Sequence, residues 1–268
     1  MINNQKFIPE GWNNNIEKLS REELNFAFTN GKVLDGLVTK CDSNYNLYIN
    51  CYEGVTGIIP RNEVEAINID ETGMPRPNIC INKINKFVQF KVKEIDSQNN
   101  FILSRKTVSK EALYWAMNDL EEGMVVDGIV KSIQPYGAFV EIGGGIVGLL
   151  HIEDISVARI KHPSERFNIG QRIKIMIKLI DRSLERVILT YKELLGSWQD
   201  NVKLYREGDI VTGIARETDK NKNGIFIELR PNLVGMAEYK SDIEYGQNVI
   251  VNIKKIIPDK KKIKLIII

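Results

Sequence analysis

Residues 128–152 read Gly128-Ile-Val-Lys-Ser-Ile-Gln-Pro-Tyr136-Gly-Ala-Phe139-Val-Glu141-Ile-Gly-Gly-Gly-Ile-Val-Gly148-Leu-Leu-His151-Ile, and the fold follows from this stretch. Two apolar runs flank a Tyr-Gly-Ala-Phe segment, and the glycines at 143–145 let one strand reverse onto the next, so the segment is a β-meander. Strand alternation that sends Ala138, Val140 and Ile142 into a core sends Phe139 and Glu141 to the opposite, solvent face. Tyr136, held between Pro135 and Gly137, is poorly placed for a core. Two outward rings three residues apart suit stacking by unpaired nucleic-acid bases, since every base offers a π-face. Taken alone, Phe139 would equally suit a core, where aromatic rings are common filler.

Working outward, residues 160–170 form a long connection with one short helical turn. Residues 172–180 alternate as a fourth strand, and a turn at 181–185 leads into Arg186-Val-Ile-Leu-Thr190. Five strands with a long crossing between the third and fourth describe the Greek-key barrel known as the OB-fold.

Five spaced motifs in this unit agree in order and distance. They are G-x-V at Gly128, Y-G-A-F-V at Tyr136, G-L-L-H-I at Gly148, F-x-x-G at Phe167, and the run from Asp181 to R-V-I-L-T at Arg186. Together they resemble the RNA-binding domain of the ribosomal protein S-one family. The resemblance implies an OB-fold that binds single-stranded RNA through Tyr136, Phe139, His151, Asp181 and Arg186. Read without it, His151 fits a satisfied polar residue at a strand end more readily than a contact, and Asp181 is equally an ordinary turn aspartate. Arg186 has the form of any surface arginine, although a guanidinium can also pair with phosphate or stack on a base.

The pattern repeats. Strand-opening glycines stand at Gly36, Gly128 and Gly213, and a second set at Gly57, Gly148 and Gly235. These domain-sized steps predict an all-β chain of three tandem five-stranded OB-fold barrels joined by short helices. The expected segments are an N-terminal arm and helix over 1–30, a first barrel over 31–107 and a connecting helix over 108–122. A second barrel covers 123–192, a second connecting helix 193–206 and a third barrel 207–268. Ser20-Arg-Glu-Glu23 is a capping box for the first helix, which Gly31 can end. Trp115 and Trp198, on the connecting helices, read as plugs against barrel ends more readily than as stacking platforms.

The outer barrels depart from the middle one. Barrel one keeps two aromatics, Tyr45 and Tyr48, but has Pro60 where barrel two has His151. Asp96 matches Asp181, while Asn100 replaces Arg186. Its connection contains Pro75-Arg76-Pro77, which reads as an extended, exposed loop. Barrel three keeps Phe226, loses the tyrosine to Asn223 and the histidine to Glu238, and carries Asp259-Lys-Lys-Lys262 at its last hairpin. Phe226 and Lys262 are its candidate contacts. Glu141 and Glu228 repeat, and because a carboxylate repels phosphate they are expected at the rim.

Composition limits the partners. The 268 residues carry a formal charge of +2, which excludes a uniformly basic surface and requires local patches. Charge by segment is +1 over 31–108, +3 over 123–192 and +3 over 208–268, leaving −5 on the arm and linkers. Cys41, Cys51 and Cys80 form no C-x-x-C pair, and the odd count without a signal peptide points to the cytoplasm. Neither a zinc site nor a membrane span is encoded, and no cofactor is implied. No catalytic constellation is legible, since there are two histidines and no phosphate-cradling loop opening a helix.

The reading is a binding protein, not an enzyme. Its resemblance implies a short, three-repeat member of the family that holds messenger RNA at the small ribosomal subunit. Two other classes stay open: a regulator of translation or RNA turnover acting off the ribosome, and an adaptor whose barrels bind proteins.

Overall fold

The computed structural model describes residues 5–12, 19–50, 56–66, 69–97, 100–218 and 223–268; Cys51 lies outside the described residues. Helix α1 (Arg21–Asn30) begins with the capping box at Ser20 and Glu23 and ends at left-handed Gly31, as its sequence predicts. Strands β1 (Leu34–Cys41), β2 (Leu47–Asn50), β3 (Thr56–Ile59), β4 (Phe87–Ile95) and β5 (Phe101–Ser104) close into the first barrel in the order β1-β2-β3-β5-β4. The second barrel comprises β6 (Val125–Gln134), β7 (Gly137–Gly143), β8 (Ile146–His151), β9 (Arg172–Asp181) and β10 (Arg186–Thr190). The third comprises β11 (Ile210–Thr218), β12 (Ile225–Arg230), β13 (Leu233–Ala237), β14 (Asn248–Ile257) and β15 (Lys262–Ile267). Both close in the same order, their third and fifth strands pairing in parallel. The fold class is therefore three closed five-stranded barrels, the OB-fold arrangement.

Period-two alternation fills each barrel. Ala138, Val140 and Ile142 are fully buried in barrel two, as Leu47 and Ile49 are in barrel one. Helix α1 closes the first core with Leu24 and Ala27. Helix α3 (Arg105–Asn118) follows β5 without a linker, starting earlier than its sequence suggests because Ser104 caps it, its hydroxyl accepting from the Thr107 amide. Trp115 is a plug: it is buried in the second core against Phe7 of the N-terminal arm, ring centroids 5.6 Å apart. The expected helix over 193–206 is broken. A 3₁₀ turn at Lys192–Leu195 and the short α4 (Trp198–Val202) flank Gly196, whose φ is 78°.

The loop around Arg76 differs from its expected extended form. Pro75 is buried and bridges Ile69, and Pro77 opens helix α2 (Pro77–Ile81), which carries Cys80 into the first core. Arg61 ties the excursion down, donating to the Pro75 carbonyl at 2.9 Å and pairing with Asp70 at 2.7 Å. A proline at the first helical position is favoured because that amide has no partner within the helix.

The barrels are joined by buried polar contacts. Glu10 of the arm accepts from Arg105 Nε at 2.7 Å and from the Gln89 amide of barrel one at 3.1 Å. The Glu10 amide donates to Glu141 of barrel two at 2.9 Å. Gly143, at φ 131°, lies so close to the arm that a Cβ there would fall 2.2 Å from the Phe7 carbonyl oxygen. Between barrels two and three, Arg166 and Arg216 both pair with Glu228, and Arg216 also pairs with Glu165 at 2.6 Å. The side chain of Asn232, on the β12–β13 turn, accepts from the Val157 amide and donates to the Lys192 and Gly196 carbonyls.

Candidate nucleic-acid interface

The turn between β6 and β7 presents Tyr136, and the first outward side chain of β7 is Phe139. Tyr136 is 50% exposed and Phe139 half-buried. Their rings meet edge to face, centroids 6.1 Å apart at 89°, a geometry in which the positive edge of one ring meets the negative face of the other. His151 joins them, because it lies opposite Gly137 in the β7–β8 register and the Ile152 amide donates to the Tyr136 carbonyl at 2.9 Å. Its Nδ1 accepts from the Glu153 amide at 3.4 Å, capping a 3₁₀ turn. The three sequence-predicted contacts at 136, 139 and 151 thus share one end of one face.

Asp181 and Arg186 lie farther along. They face each other across the β9–β10 hairpin, but Asp181 Oδ1 accepts from Ser183 Oγ at 2.6 Å and from the amides of Ser183 and Leu184. The Ser183 hydroxyl leads these bonds in holding the Asp181 carboxyl below its ordinary value. This aspartate builds the turn that aims Arg186, which is exposed. Phe139 pairs with Leu149, Leu149 with Ile188, and Ile188 with Leu179, so these four form one row around the barrel. Arg186 lies two residues along β10 from that row, roughly 12 Å from Phe139 by strand spacing and rise.

The equivalent row separates the three barrels chemically. In barrel one it runs Tyr48, Ile58, Ile102, Glu94. In barrel three it runs Phe226, Met236, Lys264, Lys255. Phe226 is 38% exposed, and Lys262 occupies the position that Arg186 holds in barrel two, first in the closing strand. Lys255 and Lys264 were not singled out from sequence. The signal was present, since Lys264 is two residues from Lys262 and so shares its face, but only the register shows that both lysines stand in the row of the ring.

Barrel one spends its rings on its own cations. Arg61 lies over Tyr45 at 5.1 Å and Lys40 over Tyr48 at 5.5 Å. Tyr45 has a φ of 64° and packs against the first core. The Tyr48 hydroxyl donates to Asp42 at 3.0 Å, and that bond raises its pKa. Sequence spacing makes Tyr45 and Tyr48 the counterparts of Tyr136 and Phe139, yet their environments differ.

Glu141 and Glu228 correct the sequence reading. Both point outward, as alternation requires, but they are 1% and 4% exposed and are not at the rim. The arm covers Glu141, which pairs with Lys131 at 2.6 Å, and barrel two covers Glu228. Burial, then the nearby Glu10 carboxylate, raises the Glu141 pKa. Among the described residues no group of three or more His, Cys, Asp or Glu side chains is placed to hold a metal ion, and no helix is long and apolar enough to cross a membrane.

Residues 119–192 match the S1 RNA binding domain. Over these residues the chain belongs to the S1 RNA-binding-domain family. It is 31% identical over 276 residues to the small ribosomal subunit protein bS1 of Rhizobium meliloti, covering 93% of this chain and 45% of that one. It is 34% identical over 239 residues to bS1 of Pseudomonas aeruginosa, covering 82% and 40%. The chain spans less than half the length of these two curated relatives. Among solved structures, GSP13 from Bacillus subtilis is similar over 29% of this chain and 60% of its own, with 26% identity and a TM-score of 0.28. The match to the S1 domain coincides with the barrel in which Tyr136, Phe139 and His151 come together, while the bS1 similarity extends over most of the chain.

Proposed function

We propose that this chain binds single-stranded RNA, messenger RNA above all, without catalysing a reaction on it, and that it works in the cytoplasm at the small ribosomal subunit. The observation that carries the reading is the wet edge-to-face pair Tyr136–Phe139 beside His151. Rings kept out of a core at 136 and 139 are available to unpaired bases, which stack on any aromatic face. The middle barrel is the primary site. Barrel three adds Phe226 and the phosphate contacts of Lys262, whereas Tyr45 and Tyr48 of barrel one, already covered by Arg61 and Lys40, add least.

The similarity to bS1 proteins supports a place in translation. Each barrel binds weakly by itself, and covalent linkage of the barrels raises the effective concentration of the later contacts. Titration of labelled single-stranded RNA tests the binding. Duplex RNA should compete poorly, since its bases are hidden from stacking. Co-sedimentation with small subunits in a density gradient tests the ribosomal setting, and a chain that binds RNA yet stays at the top of the gradient would be a regulator acting off the ribosome.

A further inference from the structure

The platform of barrel two does not end at His151. The next residues, Ile152 and Glu153, line a hollow of about 530 Å³ together with Val157, Arg159, Ile160 and Lys192. A second hollow of about 530 Å³ adjoins it across Val157 and Lys192 and extends to Trp198 and Lys261. Each is within the ~300–1,000 Å³ range of pockets that hold small organic groups. The cleft between barrels two and three is also fixed in place: Asn232 holds the Val157 amide at 3.1 Å and the Lys192 carbonyl at 2.6 Å, and the Ala158 amide donates to the Pro231 carbonyl at 2.8 Å. Val157 is nevertheless 57% exposed in the middle of it.

We propose that this cleft is a second subsite for the same RNA strand, an assignment that rests on the single-stranded RNA reading of the platform. A nucleotide leaving the rings past His151 sets its base against Ile152, Val157 and Ile160. Arg159, which pairs with Glu217 at 2.9 Å, Lys192 and, in the farther hollow, Lys261 stand at the edge toward its phosphates. Continuity with the platform and an apolar floor select an unpaired nucleotide as the occupant. Glu153 and Glu193 stand on the same rim and Lys192 already pairs with Asp154 at 3.0 Å, so burial of the base contributes more than charge.

The test compares two labelled oligonucleotides, of about four and about twelve unpaired nucleotides, both within the range of roughly 4–16 that an OB-fold covers. Val157→Asp should weaken the longer one about tenfold and leave the shorter one unchanged, with a thermal melt like that of the parent. Arg159→Ala should flatten the salt dependence of the longer one alone. Phe139→Ala should weaken both. If Val157→Asp binds the longer strand like the parent while Phe139→Ala weakens both, the cleft belongs to a protein partner or to none, and the subsite is refuted with the platform intact. Equal weakening of both strands by Val157→Asp also refutes it. If Phe139→Ala changes neither, the platform reading fails and the subsite with it.

Discussion

Replacing Phe139 by alanine removes the ring on which the functional reading depends. It stands on the outer face of β7, half-buried, edge-on to Tyr136 at 6.1 Å, while Ala138 and Val140 make the core contacts of that segment. The substitution deletes one stacked base, worth about 1–3 kcal/mol, and with it the ring that orients Tyr136, worth about 0.5–1.5 kcal/mol. The lower ends together come to about 1.5 kcal/mol, roughly tenfold in Kd, and the upper end of the stacking contribution alone gives roughly a hundredfold. Because the ring is on the wet side of the strand, the barrel should lose far less than the ~3–5 kcal/mol of a buried Phe→Ala change.

Fluorescence anisotropy of labelled single-stranded RNA, titrated at several salt concentrations, separates stacking from charge. Each phosphate contact contributes a slope of about −0.7 to log K against log[salt]. Phe139→Ala should lower that line without tilting it, since no ion is released by a stacked base. Arg186→Ala should tilt it by about 0.7 and lower it only modestly. A Phe139→Ala line superimposed on the parent's, or one with a changed slope, would refute the assignment of the ring as a stacking surface.

Three further outcomes follow from the geometry. Lys262→Ala and Lys264→Ala should each flatten the salt dependence by about 0.7 with no change in thermal melting; a flat response to the second would break the row that joins it to Phe226. Glu10→Ala should lower stability to urea by about 3–5 kcal/mol, because it leaves Arg105 buried with part of its compensation gone; a loss below about 1 kcal/mol would mean that Glu65, which also pairs with Arg105 at 2.8 Å, suffices. Burial, then Glu10 and Glu141, raise the Asp35 carboxyl from 3.8 to about 7, so the folded chain holds a proton that the unfolded chain releases. The Asp35 contribution to stability should therefore fall as pH rises from about 4 to 7, by about 1.4 kcal/mol per unit at most, and Asp35→Asn should remove that share, leaving what the raised Glu141 carboxyl adds in the same direction. The neighbouring Glu10 acts in the opposite sense. Burial alone would raise it, but Arg105 and Lys83 hold it at about 2, so its contribution is lost only as pH drops from about 4.5 toward 2.

The barrels were legible because alternation and turn glycines are local signals. Val140 between Phe139 and Glu141 announces a strand with one wet face, and Gly143, Gly144 and Gly145 announce its reversal whatever lies elsewhere in the chain. The arm was not legible. Residues 5–12 carry no period, and their order comes from partners as distant as Arg105, Gln89 and Glu141. The same holds for the loop after barrel one's third strand, where two prolines suggest exposure. An arginine fourteen residues before the first of them, Arg61, supplies the bonds that fold the loop back. Long-range polar closure leaves no trace in composition or spacing.

The misplacement of Glu141 and Glu228 shows how the site itself is built. Alternation put each on the outer face two residues past a ring, one step of about 6.7 Å along the strand, and there the sequence reading stopped at solvent. What covers them comes from another module: the arm over Glu141, and Arg166 of barrel two over Glu228. The second strands of barrels two and three are therefore divided, with an open ring near the start and a joint to a neighbouring module one step on. The carboxylates do not repel an RNA backbone, because Lys131 neutralises one and Arg166 and Arg216 the other inside a closed contact. The same division limits the platform, since a strand stacked on Phe139 cannot continue along β7 past Val140 without meeting the arm. In the proposed reading it leaves across β8, on the side of His151.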